Sequence, residues 1–299
     1  MDSRARETIL AELTPPFLVH EPAAVAAPLV FSSPHSGSVY PDAFIKSSRL
    51  KPAQLRRSED CFVDELFRGV TALGAPMIAA RFPRAYLDVN REPYELDPDL
   101  FHEALPDYAN TRSLRVAGGL GTIARVVSEG EEIYRDRLNV SDAFERISRC
   151  YRPYHECLLG LVDRTRRSFG VAVLIDCHSM PSANCGAQDS ARPDFVLGDR
   201  FGTSCDPVLT RLMRDTLIDM GYDVAFNRPY AGGYITEHYG RPAIGAHAIQ
   251  LEVNRALYMD EETFTRSTGF ERLAVDLDGL TQVLAQRLRG MLAPRVAAE

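Results

Sequence analysis

The sequence predicts an α/β layered fold, and three observations carry that expectation. Short apolar runs alternate with longer segments of helical period. Each apolar run ends in a polar or glycine-bearing loop. The 299 residues, 45% hydrophobic and 25% charged, suffice for one large core and exclude disordered, collagen-like and coiled-coil classes. With no repeat, low-complexity tract or linker, a single domain over 1–299 is expected.

The elements follow in chain order. Strands are predicted at 28–32 (PLVFS), 76–81 (PMIAAR), 85–90 (AYLDVN), 171–176 (VAVLID), 194–197, 223–226 and 246–254. Helices are predicted at about 58–73, 142–169, 207–220 and 271–291. The second and fourth set apolar residues at helical spacing against Arg-rich outer faces. Tyr151, Arg152 and Pro153 predict a kink or split in the second. Glu92 to Ser128, with Pro93, Pro98, Pro106 and the run AGGLGT, reads as irregular functional loops.

The formal charge of -7 argues against nucleic acid as a partner, because phosphate neutralisation wants a basic patch. A small molecule or a protein is left. The six Cys contain no CxxC pair, so neither a zinc knuckle nor a thioredoxin-type site is suggested, and in a chain this long they do not read as a disulfide framework. The first residues, MDSRARETIL, carry charges and no apolar h-region, and no stretch reaches the roughly 18 apolar residues of a spanning helix. A reduced, cytoplasmic protein with no membrane partner is expected, its oligomeric state open.

Two strands deliver histidines to the edge where open α/β sheets bind ligands. PLVFS runs into SPHSG and so places His35 just past a buried strand. VAVLID runs into CHSMPS and places His178 likewise. Two imidazoles on rigid supports suit a catalytic metal, although a loop histidine is often only a hydrogen-bonding group. A carboxylate would complete the set, and RSEDCFVDELF offers Glu59, Asp60 and Asp64. Ser58 reads as an N-cap, with Glu59 and Asp60 in a first turn where acids favour the helix dipole and need no other purpose. Phe62, Val63, Leu66, Phe67 and Val70 form an apolar stripe bordering both acids, so either can point inward. Periodicity does not choose between them.

In AIQLEVN, alternation puts Gln250, Glu252 and Asn254 on one face and Ile249, Leu251 and Val253 on the other. A carboxylate inside an apolar strand is costly without partners or a wet cleft, so Glu252 is the candidate general base. The competing reading pairs it with Arg255. His247 faces away from Glu252 and is a weak candidate. Arg81, Arg84 and Arg91 cluster around RFPRAYLDVNR, suited to an anionic substrate, with Asp88 as an obvious local partner. PYAGGYITEHYGRP combines Gly232 and Gly233 with Thr236, His238 and Arg241 in what reads as a substrate-lining loop, where the glycines can equally serve a tight turn. His20, His102 and His155 read as structural. Cys177 and His178 point to opposite sides of an extended segment, which argues against a thiol dyad. LGDRFGTS at 197–204 lacks the spacing and lysine of a phosphate loop.

With SPHSGSVYP, RSEDCFVDELF, RFPRAYLDVNRE, LIDCHSMPS, GGYITEHYGRP and HAIQLEVNRALYMDE in this order, the chain resembles the N-formylglutamate amidohydrolases, or N-formylglutamate deformylases, from about residue 28 to 262. The resemblance implies a three-layer α/β/α fold with a mixed central sheet, like that of zinc carboxypeptidases (phosphorylase/hydrolase-like). It implies metal-dependent hydrolysis of N-formyl-L-glutamate to formate and L-glutamate. His35, Asp60 and His178 would ligate one Zn2+ per chain, with Glu59 as rival to Asp60 and other divalent metals able to substitute. Glu252, in the QLE motif, would deprotonate water and protonate the departing amine. Arg81, Asn90 and Arg91 would hold the substrate carboxylates, joined by Gly232, Gly233 and His238 of the glycine loop. The family name suggests histidine catabolism. One departure is plain: no acid follows His35 by three residues, so the carboxypeptidase HxxE motif is absent. The extended segment RVAGGLGTIARVVSEG suggests a subgroup with another N-acyl substrate. A related hydrolase of another N-acyl amino acid or peptide would keep the same site. A non-catalytic binding protein on this fold would be expected to lose ligands, whereas His35, Asp60, His178 and Glu252 are all present.

Overall fold

The computed structural model describes residues 8–9, 11–127, 130–182 and 193–292. The expectations on most of the first ten residues, on Ser128 and on Cys185 lie outside the described residues. The strands are β1 (Phe17–His20), β2 (Leu29–Ser33), β3 (Met77–Ala80), β4 (Ala172–Met180), β5 (Phe195–Gly198), β6 (Val224–Phe226), β7 (Ala246–Asn254), β8 (Met259–Asp260) and β9 (Thr265–Arg266). The helices are α1 (Asp42–Ser47), α2 (Pro52–Leu55), α3 (Val63–Leu66), α4 (Leu114–Ala117), α5 (Val140–Arg146), α6 (Arg152–Phe169), α7 (Pro207–Asp219), α8 (Tyr234–Tyr239) and α9 (Phe270–Leu292).

The α/β class and the mixed central sheet are present. Seven strands run in the order β1-β3-β2-β4-β7-β5-β6. β2, β4 and β7 pair in parallel, while β5 pairs antiparallel to β7 and parallel to β6. β4 and β7 are buried along their whole length, as expected of strands covered on both faces. β8 and β9 form a separate two-stranded ribbon.

Packing groups the chain into two compact units. The first takes residues within Met1–Leu18, Ser33–Cys61 and Ile78–Leu158. Its aromatic core sets Phe44 5.4 Å from Tyr86 and 6.1 Å from Tyr134, ring to ring. Arg146 is buried there with its guanidinium 4.2 Å from the Tyr86 ring centre, donating to the Tyr86 carbonyl and the Tyr134 hydroxyl. A buried cation is tolerated because a ring face and two oxygens replace its water. The irregular segment from Glu92 buries Leu96, Phe101, Ile123 and Val127, so these loops carry apolar anchors of their own.

The second unit takes Val19–Ser32, Phe62–Met77 and Leu159–Glu299. Here α9 packs on α7 and α3, and α8 lies against β4 and β7. No helix of the described residues is long and apolar enough to cross a membrane.

Three sequence expectations need correction. Residues 85–90 are turns, not a strand. The Tyr86 and Leu87 N–H groups both donate to the Pro83 carbonyl, and the Asp88 carboxylate accepts the Asn90 N–H. Local bonds of this kind compete with a ladder. The helix expected over 58–73 is broken into a 3-10 turn at Arg56–Ser58, an extended Glu59, α3 and a second 3-10 turn at Arg68–Thr71. The break follows from Phe62 at φ 63°, a left-handed conformation that no helix continues through. Ser58 is therefore no N-cap to those acids. Finally, VAVLID does not stop at Asp176: β4 runs on to Met180, so His178 lies inside the strand. The predicted kink near Tyr151 is a π turn over Ile147–Tyr151, just before Pro153, whose ring cannot fit an unbroken α ladder.

Candidate active site

Strand register builds one half of the site. In β4 and β7, Asp176 lies opposite Gln250 and His178 opposite Glu252, and Ser32 of β2 lies opposite Asp176. Side chains alternate along a strand, so these five polar groups share one face. His178 Nε2 lies 2.9 Å from Asp176 Oδ2, and the Ser32 hydroxyl donates to Asp176 Oδ1 at 3.1 Å. A carboxylate accepts, so Nε2 carries the imidazole proton and Nδ1 is the nitrogen that a metal would take. Glu252, also buried, accepts from Gln250 Nε2 at 2.7 Å. Arg255, its sequence-level rival partner, donates to the Ser179 hydroxyl and lies 3.9 Å from Glu261.

Turns build the other half. Asp60 N–H donates to the His35 carbonyl, tying the extended stretch after Arg56–Ser58 to the loop that follows β2. His35 Nδ1 lies 3.5 Å from Asp60 Oδ2. His35 Nε2 lies 2.7 Å from Asp88 Oδ1, so Nδ1 is again the nitrogen that a metal would take. Arg84 Nε donates to Asp88 Oδ2 at 3.0 Å, and Arg91 Nε lies 3.7 Å from that oxygen. Burial pushes the Asp88 carboxyl up, but Arg91, His35 and Arg84 together hold it well below the usual carboxylate range. Burial draws the Arg91 guanidinium down to about 10 against the pull of Asp88, which leaves it charged at neutral pH.

His35, Asp60 and His178 form the one group of three or more His, Cys, Asp or Glu residues among the described residues that could hold a metal ion. Each offers one ligand atom, these atoms all lie within 4.8 Å of one another, and all three residues are buried. The donor set fits a divalent metal: two imidazoles, each with its far nitrogen on a carboxylate, and one carboxylate oxygen. Glu59, the rival acid, is engaged elsewhere. It accepts from the Tyr40 hydroxyl at 2.9 Å, from Arg56 at 3.1 and 3.2 Å, and from the Cys61 thiol.

The remaining candidates fall in identifiable places. Arg81 Nη1 donates to the Pro15 carbonyl, Arg91 donates to the Leu120 and Asn90 carbonyls, and the Asn90 N–H is bound by Asp88. Gly233 N–H donates to Gln250 Oε1 at 2.8 Å, and Gly232 adopts φ 112°, a conformation that strains any other residue. His238 is exposed on α8, stacked 5.0 Å from Tyr234, and burial then Arg241 lower its pKa. His247 lies on the opposite face of β7 from Glu252, and its Nδ1 accepts the Asp206 N–H. Cys177 is fully buried, and burial, then Asp176, push its thiol well above the ordinary value, which does not suit a nucleophile.

Sequence reasoning did not assign Asp88, Asp176 and Gln250 to the site. The i, i+2 spacing of Asp176 with His178 and of Gln250 with Glu252 carried the signal for two of them. Asp88 reaches His35 across 53 residues, and no local pattern announces that.

Comparison with known proteins identifies a family. The family model for N-formylglutamate amidohydrolase matches residues 27–259. The N-formylglutamate deformylase of Pseudomonas putida is 34% identical over 271 residues, 89% of this chain and 92% of that protein. The deformylase of Pseudomonas aeruginosa is 29% identical, covering 79% of this chain and 83% of that one. The crystal structure of N-formylglutamate amidohydrolase from Ralstonia eutropha JMP134 superposes with a TM-score of 0.87 at 38% identity, covering 92% of this chain and 99% of that one. The chain therefore belongs to the N-formylglutamate amidohydrolase family, hydrolases of an amide bond.

Proposed function

We propose that this protein is a zinc-dependent deformylase that hydrolyses N-formyl-L-glutamate to formate and L-glutamate. The observation that carries the proposal is the buried His35, Asp60 and His178 donor set in a chain whose relatives bear that name. Three protein ligands leave a coordination position open, which is the pattern of catalytic rather than structural zinc. A Zn2+ ion held there, one per chain, would supply Lewis-acid polarisation of the formyl carbonyl and acidify the attacking water toward neutral pH. Glu252, cross-strand neighbour of His178, takes the proton of that water and returns it to the amine as the C–N bond breaks. The substrate is a small dianion, and the overall charge of -7 repels it, so local cations must bind it. Arg81, Asn90 and Arg91 hold its carboxylates, and the Gly232, Gly233 and His238 loop lines the remainder.

The test pairs elemental analysis of the purified protein with a formate-release assay on N-formyl-L-glutamate. About one zinc per chain is expected, with activity lost to a chelator and restored by zinc. Glu252→Gln is expected to keep the metal and lower kcat by roughly 100- to 10,000-fold. Full activity without metal would overturn the zinc assignment. A zinc-loaded protein that ignores N-formyl-L-glutamate but cleaves another N-acyl amino acid would overturn the substrate.

A further inference from the structure

Gln250 is buried in β7 two residues before Glu252 and on the same face. Its amide is oriented by what surrounds it. The Gly233 N–H donates to Oε1 at 2.8 Å, which requires the oxygen on the loop side and the nitrogen on the other. Nε2 then donates to Glu252 Oε1 at 2.7 Å. The loop can descend this far because of Gly198, the cross-strand partner of Gln250 in β5. A Cβ on Gly198 would stand 2.7 Å from the Ala231 carbonyl carbon and from the Gly232 nitrogen, both backbone atoms. Backbone loop, amide and carboxylate thus form one bonded chain.

The terminal torsion of a glutamate is broad, so an unsupported carboxylate samples many orientations. Proton transfer needs a group held to within about 0.5 Å of its working position. We infer that Gln250 is a positioning residue: it commits one oxygen of Glu252 to its amide and so fixes the plane of the carboxylate, taking its own orientation from Gly233. This rests on the reading of Glu252 as the general base.

Two variants of the zinc-loaded enzyme test it, with kcat, KM, zinc content and melting temperature measured on each. Gln250→Leu removes both bonds. Gln250→Glu keeps the shape and still accepts from Gly233, but it has no N–H to donate. A bond to Glu252 forms only where the two carboxyls share a proton and is lost where both are ionised, so kcat is read as a pH profile. Positioning predicts that both lower kcat by about 10- to 100-fold, the scale of a misplacement near 1 Å, while KM stays within about threefold and zinc is retained. A merely structural support for the loop predicts instead that Gln250→Glu keeps its kcat, and that result would overturn the inference even if Gln250→Leu fails to fold. Glu252→Gln separates the two readings. If it stays active, the base assignment falls and takes this inference with it. If it is inactive while Gln250→Glu turns over normally, only the positioning role falls.

Discussion

The two histidines of the candidate metal group are supported by the same device built from different parts. His178 is held by Asp176, two residues away on one face of a buried strand, with Ser32 of the neighbouring strand on the second carboxylate oxygen. His35 is held by Asp88, which lies in a run of turns, with Arg84 and Arg91 near its second oxygen. In both, the carboxylate selects the imidazole tautomer and raises the basicity of the nitrogen that a metal would take. The strand arm inherits its orientation from the ladder. The turn arm has no ladder to place its carboxylate, and two cations together with the Asn90 N–H do that work instead. Rigid secondary structure and a buried ion cluster are thus alternative ways to fix one kind of ligand, and they should fail differently when cut.

Asp88→Asn should give the largest effect. It removes the charge that compensates Arg91, which is only 9% exposed, and leaves a buried cation without its anion. Breaking a buried pair from one side costs about 3–5 kcal/mol, and losing the support of a ligand histidine weakens metal binding by roughly 10- to 100-fold. Urea unfolding and a chelator competition on the same preparation measure both. A variant that binds metal poorly yet unfolds like the unsubstituted protein would show that the ion cluster orients His35 without holding the turns together, and the contrast between the arms would collapse.

Asp176→Asn comes next, because its effects should separate. The amide keeps the volume of a fully buried side chain and can still accept from Ser32, so stability should change by about 1 kcal/mol. It can also present N–H to His178 Nε2 and force the wrong tautomer, so metal affinity should fall by roughly 10- to 100-fold, as in the other arm. Equal losses of stability for Asp176→Asn and Asp88→Asn would mean that strand and turn support differ only in appearance.

The same contrast explains what the sequence revealed. Period-two alternation placed Glu252 and Gln250 on one face and separated His178 from Cys177, because a strand's side-chain directions depend only on its own backbone. It failed at AYLDVN, where an alternating pattern is overruled by the turn at Pro83 and by the Asp88 carboxylate bonding its own neighbour. It also left Glu59 and Asp60 unresolved. The choice turns on the left-handed Phe62 and on the bond from Asp60 N–H to the His35 carbonyl, a partner well removed in the chain. The glycines tell the same story: Gly232 was legible as part of a turn, whereas the need for Gly198 appears only once the loop from Tyr230 lies across it.

Arg84→Ala should be the mildest cut and the one that best resolves the turn arm. Arg84 and Asp88 are an i, i+4 pair, but the arginine side chain is 29% exposed, so water and salt screen much of the attraction. Its loss should cost about 0.5–1 kcal/mol, because the more deeply buried Arg91 remains to balance Asp88. Metal affinity should fall by no more than about threefold, since the bond from His35 to Asp88 is untouched. The effect should also shrink as salt is raised, a dependence that Asp88→Asn should lack because its cation is buried. If Arg84→Ala instead approaches Asp88→Asn in both measurements, the two arginines act as one cooperative clamp. The turn arm would then owe its rigidity to the exposed cation as much as to the buried one.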